Sequence, residues 1–416
     1  MFIDELTIAL YGWDLADHGP GHVLDTVQET AGCNAAYIIA LMHHEKRPLW
    51  DTYYPKNPVR KFYVPEDSRV QWIPDMSEYK DSRIKPLPYE ADFLKGVDWV
   101  DVHAKECRAR GMKPGVEISH TPLDKVRAEG EFADCVQKDV WGRGIVQHLC
   151  WNNEDALAYM CALMSDVVKN HDVEMLQTCS RLFNMGNPQL HPFLGVTVGG
   201  CFCDACEKKA RAKGLDWDKI KQTVKYFATV LTSSKQTDIY AHEDDLLIRR
   251  GDTTPVMWLL EYPELYEWLK FRTDSIVEYF ETISKAVHAA KPSIDFRWNT
   301  WYDQPEYYGE ALNRIAPHVD SVRIMEYTEQ LGDPSLMIRK QHHVSNVRRK
   351  IGNDKPLNSA VAIRAKATPE LIHEGLRIAV KNGADMISLA FWDGCTMEQL
   401  AAVKSGMERH EIKVRT

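Results

Sequence analysis

The segment Gly200-Cys-Phe-Cys-Asp-Ala-Cys206 sets three thiols in a C-x-C-x-x-C spacing, followed at once by a basic run with helical character. Thiolates this close in sequence can face one tetrahedral metal ion, and the fourth ligand must then come from elsewhere in the chain. Zinc is the expected occupant. With no fourth thiolate, a water on the metal would make the site a catalytic candidate; with one, the site is closed and structural.

A second group of candidates stands where apolar runs end in polar residues: Trp13 and Asp14, His43 and His44, Glu117 and His120, Cys179 and Arg181, Asn299 with Trp301 and Asp303, Glu326 and Tyr327, Arg364, and Trp392 with Asp393. Aromatic rings stack on the C–H faces of sugars, and Asp, Asn, Arg and His bind hydroxyls. Trp13, Asp14, His44, His120, Arg181, Asn299, Trp301, Arg364 and Trp392 are therefore expected to bind a polyhydroxylated substrate, and the arginines suit an anionic group on it. Cleavage of a glycosidic bond needs a proton donor and a second carboxylate. Glu326 is the first choice, because Arg-Ile-Met-Glu-Tyr puts it where an apolar strand ends, with Glu117 and Asp393, then Asp14, as partners. The plain alternative for each residue is a helix cap, an ion pair or a core ring. Their joint occurrence on most of the strands favours a pocket.

Other chemistries find little support. Adjacent residues diverge on a strand or a helix, so neither His43-His44 nor His342-His343 can chelate as a unit. The nucleophilic-serine elbow, the phosphate-binding P-loop and the helical zinc-protease motif are absent.

The elements that must position these residues alternate as strand and helix. Strands are expected from Thr7, at Ala35–Met42, Lys113–His120, Val173–Arg181, Ser293–Asn299, Ser321–Glu326, Leu357–Arg364 and Met386–Trp392. Helices are expected between them, among them Asp98–Arg110, Glu154–Asn170, Pro263–Ala290 and Pro369–Asn382. Eight strands joined through helices fit a closed α/β (β/α)8 TIM barrel better than an open sheet. Tyr11-Gly-Trp-Asp14 after the first strand is no dinucleotide fingerprint, so no organic cofactor is expected. The chain reads as one barrel over 1–416 with two insertions. One, at about 46–90, is rich in proline and aromatic residues and suggests an ordered active-site loop; the other, at about 182–260, carries the cysteines.

Composition bounds the class. The 416 residues are 44% hydrophobic and 27% charged with a net charge of -9, and the sequence pI is near 6.0. That balance is of an ordinary globular protein and argues against a nucleic-acid partner, which needs a basic surface. Met1-Phe-Ile-Asp-Glu5 lacks the basic and apolar regions of a secretion signal, and no apolar run is long enough to span a bilayer. A cytoplasmic location is expected, where thiols stay reduced. The oligomeric state is open, with a homo-oligomer among the options.

Cys150, then a strand and loop, then Cys201, Cys203 and Cys206 resembles the four-cysteine zinc site of family 42 β-galactosidases and their clan A relatives. There, as here, one ligand precedes the fourth strand and the C-x-C-x-x-C follows it. Leu149-Cys-Trp-Asn-Asn153 and Phe296-Arg-Trp-Asn299 are also similar to glycosyl-hydrolase barrels, and the likeness runs in outline from about residue 7 to 400. It implies a (β/α)8 fold, glycoside chemistry and a structural Zn2+ on Cys150, Cys201, Cys203 and Cys206, with Cys179 the rival fourth ligand. The clan's enzymes carry a glutamate at the end of strand four as acid/base and another at the end of strand seven as nucleophile. Here those strands end in Thr178-Cys-Ser-Arg181 and Val361-Ala-Ile-Arg364. The family mechanism therefore does not transfer. The expectation is a glycoside hydrolase whose carboxylates lie on other strands; the alternatives are a sugar lyase or isomerase with a His or Glu base and Arg stabilisation, or a non-catalytic sugar-binding barrel.

Overall fold

The computed structural model describes residues 1–41, 54–119, 122–178, 198–232, 255–300 and 305–415. Eight parallel strands close into a barrel: β1 (Glu5–Leu10), β2 (Ala35–Leu41), β3 (Lys113–Ile118), β4 (Met175–Thr178), β5 (Asp295–Thr300), β6 (Ser321–Ile324), β7 (Leu357–Ala362) and β8 (Met386–Ala390). Six of the eight lie inside the expected runs; β1 begins two residues earlier than expected, at Glu5, and β5 ends one residue later, at Thr300. Parallel neighbours require crossover connections, and the helices supply them. The barrel closes where β8 meets β1, in the register Met386↔Glu5 to Leu389↔Ile8.

The helices follow from local chemistry. Asp98, Asn153, Thr368 and Thr396 accept a backbone N–H at the start of Trp99–Ala109, Glu154–Asn170, Pro369–Lys381 and Met397–Arg409, satisfying donors that the helices leave open. Pro263–Ala290 buries Leu265, Trp268, Arg272, Ser275, Ile276, Tyr279, Ile283 and Val287. That three-and-four spacing makes one inward stripe.

Side chains alternate across each strand, and here the inward set is polar at both ends of the barrel. At the N-terminal end Arg297, 1% exposed, donates to Glu5 Oε1 at 2.8 Å, Asp295 Oδ2 at 2.6 Å and Ser321 Oγ at 3.0 Å. A cavity of about 450 Å3 opens beside this cluster, lined in part by Thr7 and Met386. At the C-terminal end a separate polar group gathers, described below.

From Tyr54 to Asp98 the chain has little regular structure beyond a single 3-10 turn, Met76–Tyr79. It is nevertheless tied down. Buried Asp166 on Glu154–Asn170 accepts from Trp72 Nε1 at 2.9 Å and Tyr79 OH at 2.8 Å, and Val70 bridges to Leu41 at the end of β2.

Candidate active site and metal centre

Arg323 organises the C-terminal half of the barrel interior. It points inward from the middle of β6 and is 1% exposed. Its Nε donates to Ser388 Oγ on β8 at 2.6 Å, Nη1 to Asn299 Oδ1 on β5 at 2.8 Å, and Nη2 to Tyr327 OH at 3.2 Å. Its charge also acts on Glu117, which stands on β3 and accepts a hydrogen bond from Gln177 on β4. Burial pushes the Glu117 carboxyl above the ordinary glutamate range, against the pull of Arg323 and Gln177. A carboxyl held in this way can donate a proton to a leaving group.

The second acidic group lies where β8 meets β1. Asp14, 1% exposed, accepts from Tyr11 N at 2.9 Å, and Asp393, 4% exposed, accepts from Gly394 N at 2.7 Å. Burial raises Asp14 well above the usual carboxylate range, and the charge of Asp393 adds to the shift, while Lys56 opposes it. The negative charge of Asp393 thus disfavours ionisation of Asp14. Tyr11 joins the two acidic groups. Burial, then Asp393, and more weakly Glu117 push its hydroxyl up, with Arg364 pulling the other way.

Lys56 clamps this corner: its ammonium donates to the carbonyls of Trp392 and Cys395, both at 2.5 Å, and lies 4.2 Å from the Trp392 ring. Aromatic rings run in contact across the mouth, Tyr63 on Trp13 at 4.1 Å, Trp13 on Tyr11 at 4.2 Å, Tyr11 to Phe391 at 6.0 Å and Phe391 to Tyr327 at 6.2 Å. Arg364 stacks over Phe391 at 4.7 Å and donates from Nε to Gln330 Oε1 at 3.2 Å.

Of the residues expected from sequence, Glu117, Asp14, Asp393, Asn299 and Arg364 come together here. Trp13 and Trp392, expected as open platforms, are 0% and 1% exposed and present no face to a ligand; the half-buried rings of Tyr327 and Phe391 stand nearer to solvent. His44, His120, Arg181 and Trp301 lie outside the described residues, as does Cys179. The structure does not bring Glu326 to this group. Its carboxylate accepts from Thr328 N at 3.0 Å, from the Thr328 hydroxyl and from His343 Nδ1, on the side of β6 that faces helix Met337–Ile351. Burial alone would raise Glu326, but His343, Lys340 and Thr328 outweigh it and hold the carboxyl below the ordinary range. Beside it, Lys340 and Glu329 form a fully buried pair at 2.5 Å, and Lys340 donates to the Ala360 carbonyl at 2.7 Å.

Sequence reading missed Arg323, Tyr11, Gln177 and Lys56. For Arg323 the signal was present. In Ser321-Val-Arg-Ile the apolar residues alternate with polar ones, and period two places Ser321 and Arg323 on the face opposite Val322 and Ile324.

The four cysteines meet outside the barrel. Cys150 ends the hairpin strand Gly144–Leu149, which pairs with Val136–Lys138, and Cys203 caps helix Asp204–Ala212, which carries Cys206. Gly200 has φ +101°, and a Cβ there would sit 2.5 Å from the Trp268 ring, so only glycine lets the chain pass over that tryptophan into the motif. Phe202 stacks on Trp268 at 4.4 Å, and its N–H donates to the Lys138 carbonyl at 2.8 Å. All four sulfurs lie within 4.8 Å of one another and all four residues are buried. Cys150 is 3.4 Å from Cys203 and 3.5 Å from Cys206, too far for a disulfide and close to the roughly 3.8 Å that a tetrahedron with metal–sulfur bonds of about 2.3 Å requires. The cluster can hold a metal ion.

No protein-family model matches the chain, and no curated protein matches it in sequence. Solved structures do. A GH42 β-galactosidase from G. stearothermophilus, solved as a catalytic mutant, matches with a TM-score of 0.56 at 12% identity, over 98% of this chain and 57% of that one. A β-galactosidase from the Antarctic haloarchaeon Halorubrum lacusprofundi gives 0.57 at 14%, over 98% and 58%. The catalytic domain of a β-amylase from Paenibacillus polymyxa gives 0.53 at 12%, over 98% and 97%. The chain thus spans a little over half the length of these β-galactosidases. At such identities the likeness is one of fold, and the resemblance to family 42 β-galactosidases drawn from the cysteines is met by a similar closed (β/α)8 barrel and by a four-cysteine cluster.

Proposed function

We propose that this chain is a carbohydrate-active (β/α)8 enzyme that cleaves a glycosidic bond at the C-terminal end of its barrel. Glu117 is the proton donor, and the Asp14/Asp393 pair supplies the second carboxylate. The observation that carries this reading is Glu117 itself: an inward carboxyl raised by burial, held by Gln177 and under the charge of Arg323. Arg323 fixes Asn299 and Tyr327, which would meet sugar hydroxyls and a ring face, and Arg364 would meet an anionic substituent. His44, His120, Arg181 and Trp301 stay in the proposed substrate-binding set on their sequence positions. Glu326 we assign to holding the loop after β6 rather than to bond cleavage.

The whole chain is read as one barrel with its two insertions. Cys150, Cys201, Cys203 and Cys206 would hold Zn2+, which with four thiolates is coordinatively closed and supplies a cross-link rather than catalysis. Reduced thiols on a metal fit a cytoplasmic protein; among the described residues no helix is long and apolar enough to cross a membrane. A second reading, proton abstraction by Glu117 in a lyase or isomerase, is favoured by Arg364 standing just past the end of β7, where a guanidinium would stabilise a developing oxyanion.

The test is turnover of a panel of 4-nitrophenyl glycosides and glycuronides by the wild type, Glu117→Gln and Asp393→Asn. Loss of nitrophenol release in both variants supports hydrolysis. An unsaturated or ketose product from unsubstituted sugars supports the second reading, and full activity of Glu117→Gln refutes both.

A further inference from the structure

The four cysteines do not stand alone, and the group that touches them is an asparagine two residues past Cys150. Asn152 Nδ2 lies 3.2 Å from Cys206 Sγ and 3.1 Å from Ser275 Oγ, while its Oδ1 lies 2.6 Å from Lys209 Nζ. An ammonium has three donors and no acceptor, so Lys209 fixes which end of the amide is oxygen. The –NH2 end must then face the sulfur. Lys209 is held in turn by Glu278 Oε2 at 2.6 Å, and Glu278 Oε1 takes Lys213 at 2.5 Å. Ser275 and Glu278 belong to helix Pro263–Ala290, one turn apart.

A divalent ion on four thiolates carries a net charge of about −2, and in a buried site that charge needs hydrogen-bond donors on the sulfurs. The described residues show two from outside the motif: the backbone N–H of Lys138, 3.4 Å from Cys201 Sγ, and the amide of Asn152 on Cys206. Of these two, the second is a side chain, and its own partner Ser275 lies on the long helix.

We infer that Asn152 is a positioning residue for the metal: its amide donates to the Cys206 thiolate, is oriented by Lys209, and ties metal binding to helix Pro263–Ala290 through Ser275 and Glu278. This rests on the four cysteines holding zinc. Residues that donate to metal-bound ligands commonly change metal affinity by about 10- to 100-fold when replaced. Asn152→Asp is the sharpest variant, because it keeps size and the Lys209 contact but turns the donor facing Cys206 into an acceptor. Asn152→Ala removes the donor without adding a charge.

The experiment is zinc affinity by competition with a chromophoric chelator, together with the thiolate-to-metal charge-transfer band of the cobalt(II)-substituted chain. Wild type is expected to hold one zinc per chain. Both variants should bind it more weakly, by about 10- to 100-fold, and their cobalt band should move to lower energy, because a sulfur without its donor gives up electron density more readily. A purely structural role for Asn152 would lower stability without moving that band. If Asn152→Asp does not fold, Asn152→Ala gives the same two readouts. Wild type that holds zinc, with variants of unchanged affinity and an unshifted band, overturns the role of Asn152. Wild type that binds no zinc overturns the metal reading and this inference with it.

Discussion

Glu117 and Glu326 are both buried glutamates near the C-terminal end of the barrel, yet their surroundings shift their carboxyls in opposite directions. Glu117 has a raised carboxyl and, among the described residues, the side-chain donor Gln177; Glu326 has a lowered one and accepts from Thr328 and His343. Removing a positioned general acid should lower kcat/KM by about 10²- to 10⁴-fold, so Glu117→Gln is expected to lose turnover with its fold intact by circular dichroism. Arg323→Met takes away a charge that lowers Glu117. The alkaline limb of the pH–rate profile should therefore move to higher pH in that variant; a limb that stays put would detach Arg323 from the acid. Glu326→Gln should cost about 1.5–3 kcal/mol in urea unfolding at pH 7, from hydrogen bonds to a charged group, with activity retained. Because the folded carboxyl sits below its unfolded value, this contribution is complete above the unfolded pKa of about 4.3 and disappears as the pH falls through the lower folded one. The gap between wild type and variant should close in acid. Sequence alone favoured Glu326 because it ends an apolar run. The end of β6 decides otherwise: the strand stops at Ile324, Glu326 N donates to the Ile324 carbonyl at 3.0 Å, and past that tight turn the carboxylate meets His343 of helix Met337–Ile351.

At the scale of elements, the sequence was most legible where one pattern had one solution. The long helices begin and end close to where caps, prolines and apolar stripes put them, and the eight strands fall within two residues of the expected runs. The inward polar network was less legible, because Asn299, Gln177 and Arg323 come from three strands and are linked only by the barrel's register. The platform role expected of Trp13 and Trp392 fails for a related reason. A strand-end tryptophan looks the same in sequence whether its ring faces a pocket or, as here, is covered by Tyr63 or Lys56. On the proposed reading, a metal on the four cysteines would act as a staple between Val136–Leu149, helix Asp204–Ala212 and helix Pro263–Ala290. Stripping metal with a chelator should lower the thermal midpoint, since a ligand at about a thousand times its dissociation constant contributes about 4 kcal/mol. Re-addition of zinc should restore it, and an unchanged midpoint would remove the staple.

For the molecule as a whole, the proposed function implies that the two ends of the barrel divide stability from chemistry. Arg297 at the N-terminal end pairs with both Glu5 and Asp295. Arg297→Met strands a buried carboxylate and should cost about 3–5 kcal/mol in stability while leaving kcat nearly unchanged at temperatures where the fold survives. Substitutions around Arg323 and Glu117 should show the reverse pattern. The measurement that tests this most directly is nitrophenol release from the glycoside and glycuronide panel by wild type, Glu117→Gln and Glu326→Gln side by side. The expected result is turnover by the wild type, a loss of at least about 100-fold in Glu117→Gln and near-normal rates in Glu326→Gln. An active Glu117→Gln beside an inactive, folded Glu326→Gln would contradict it.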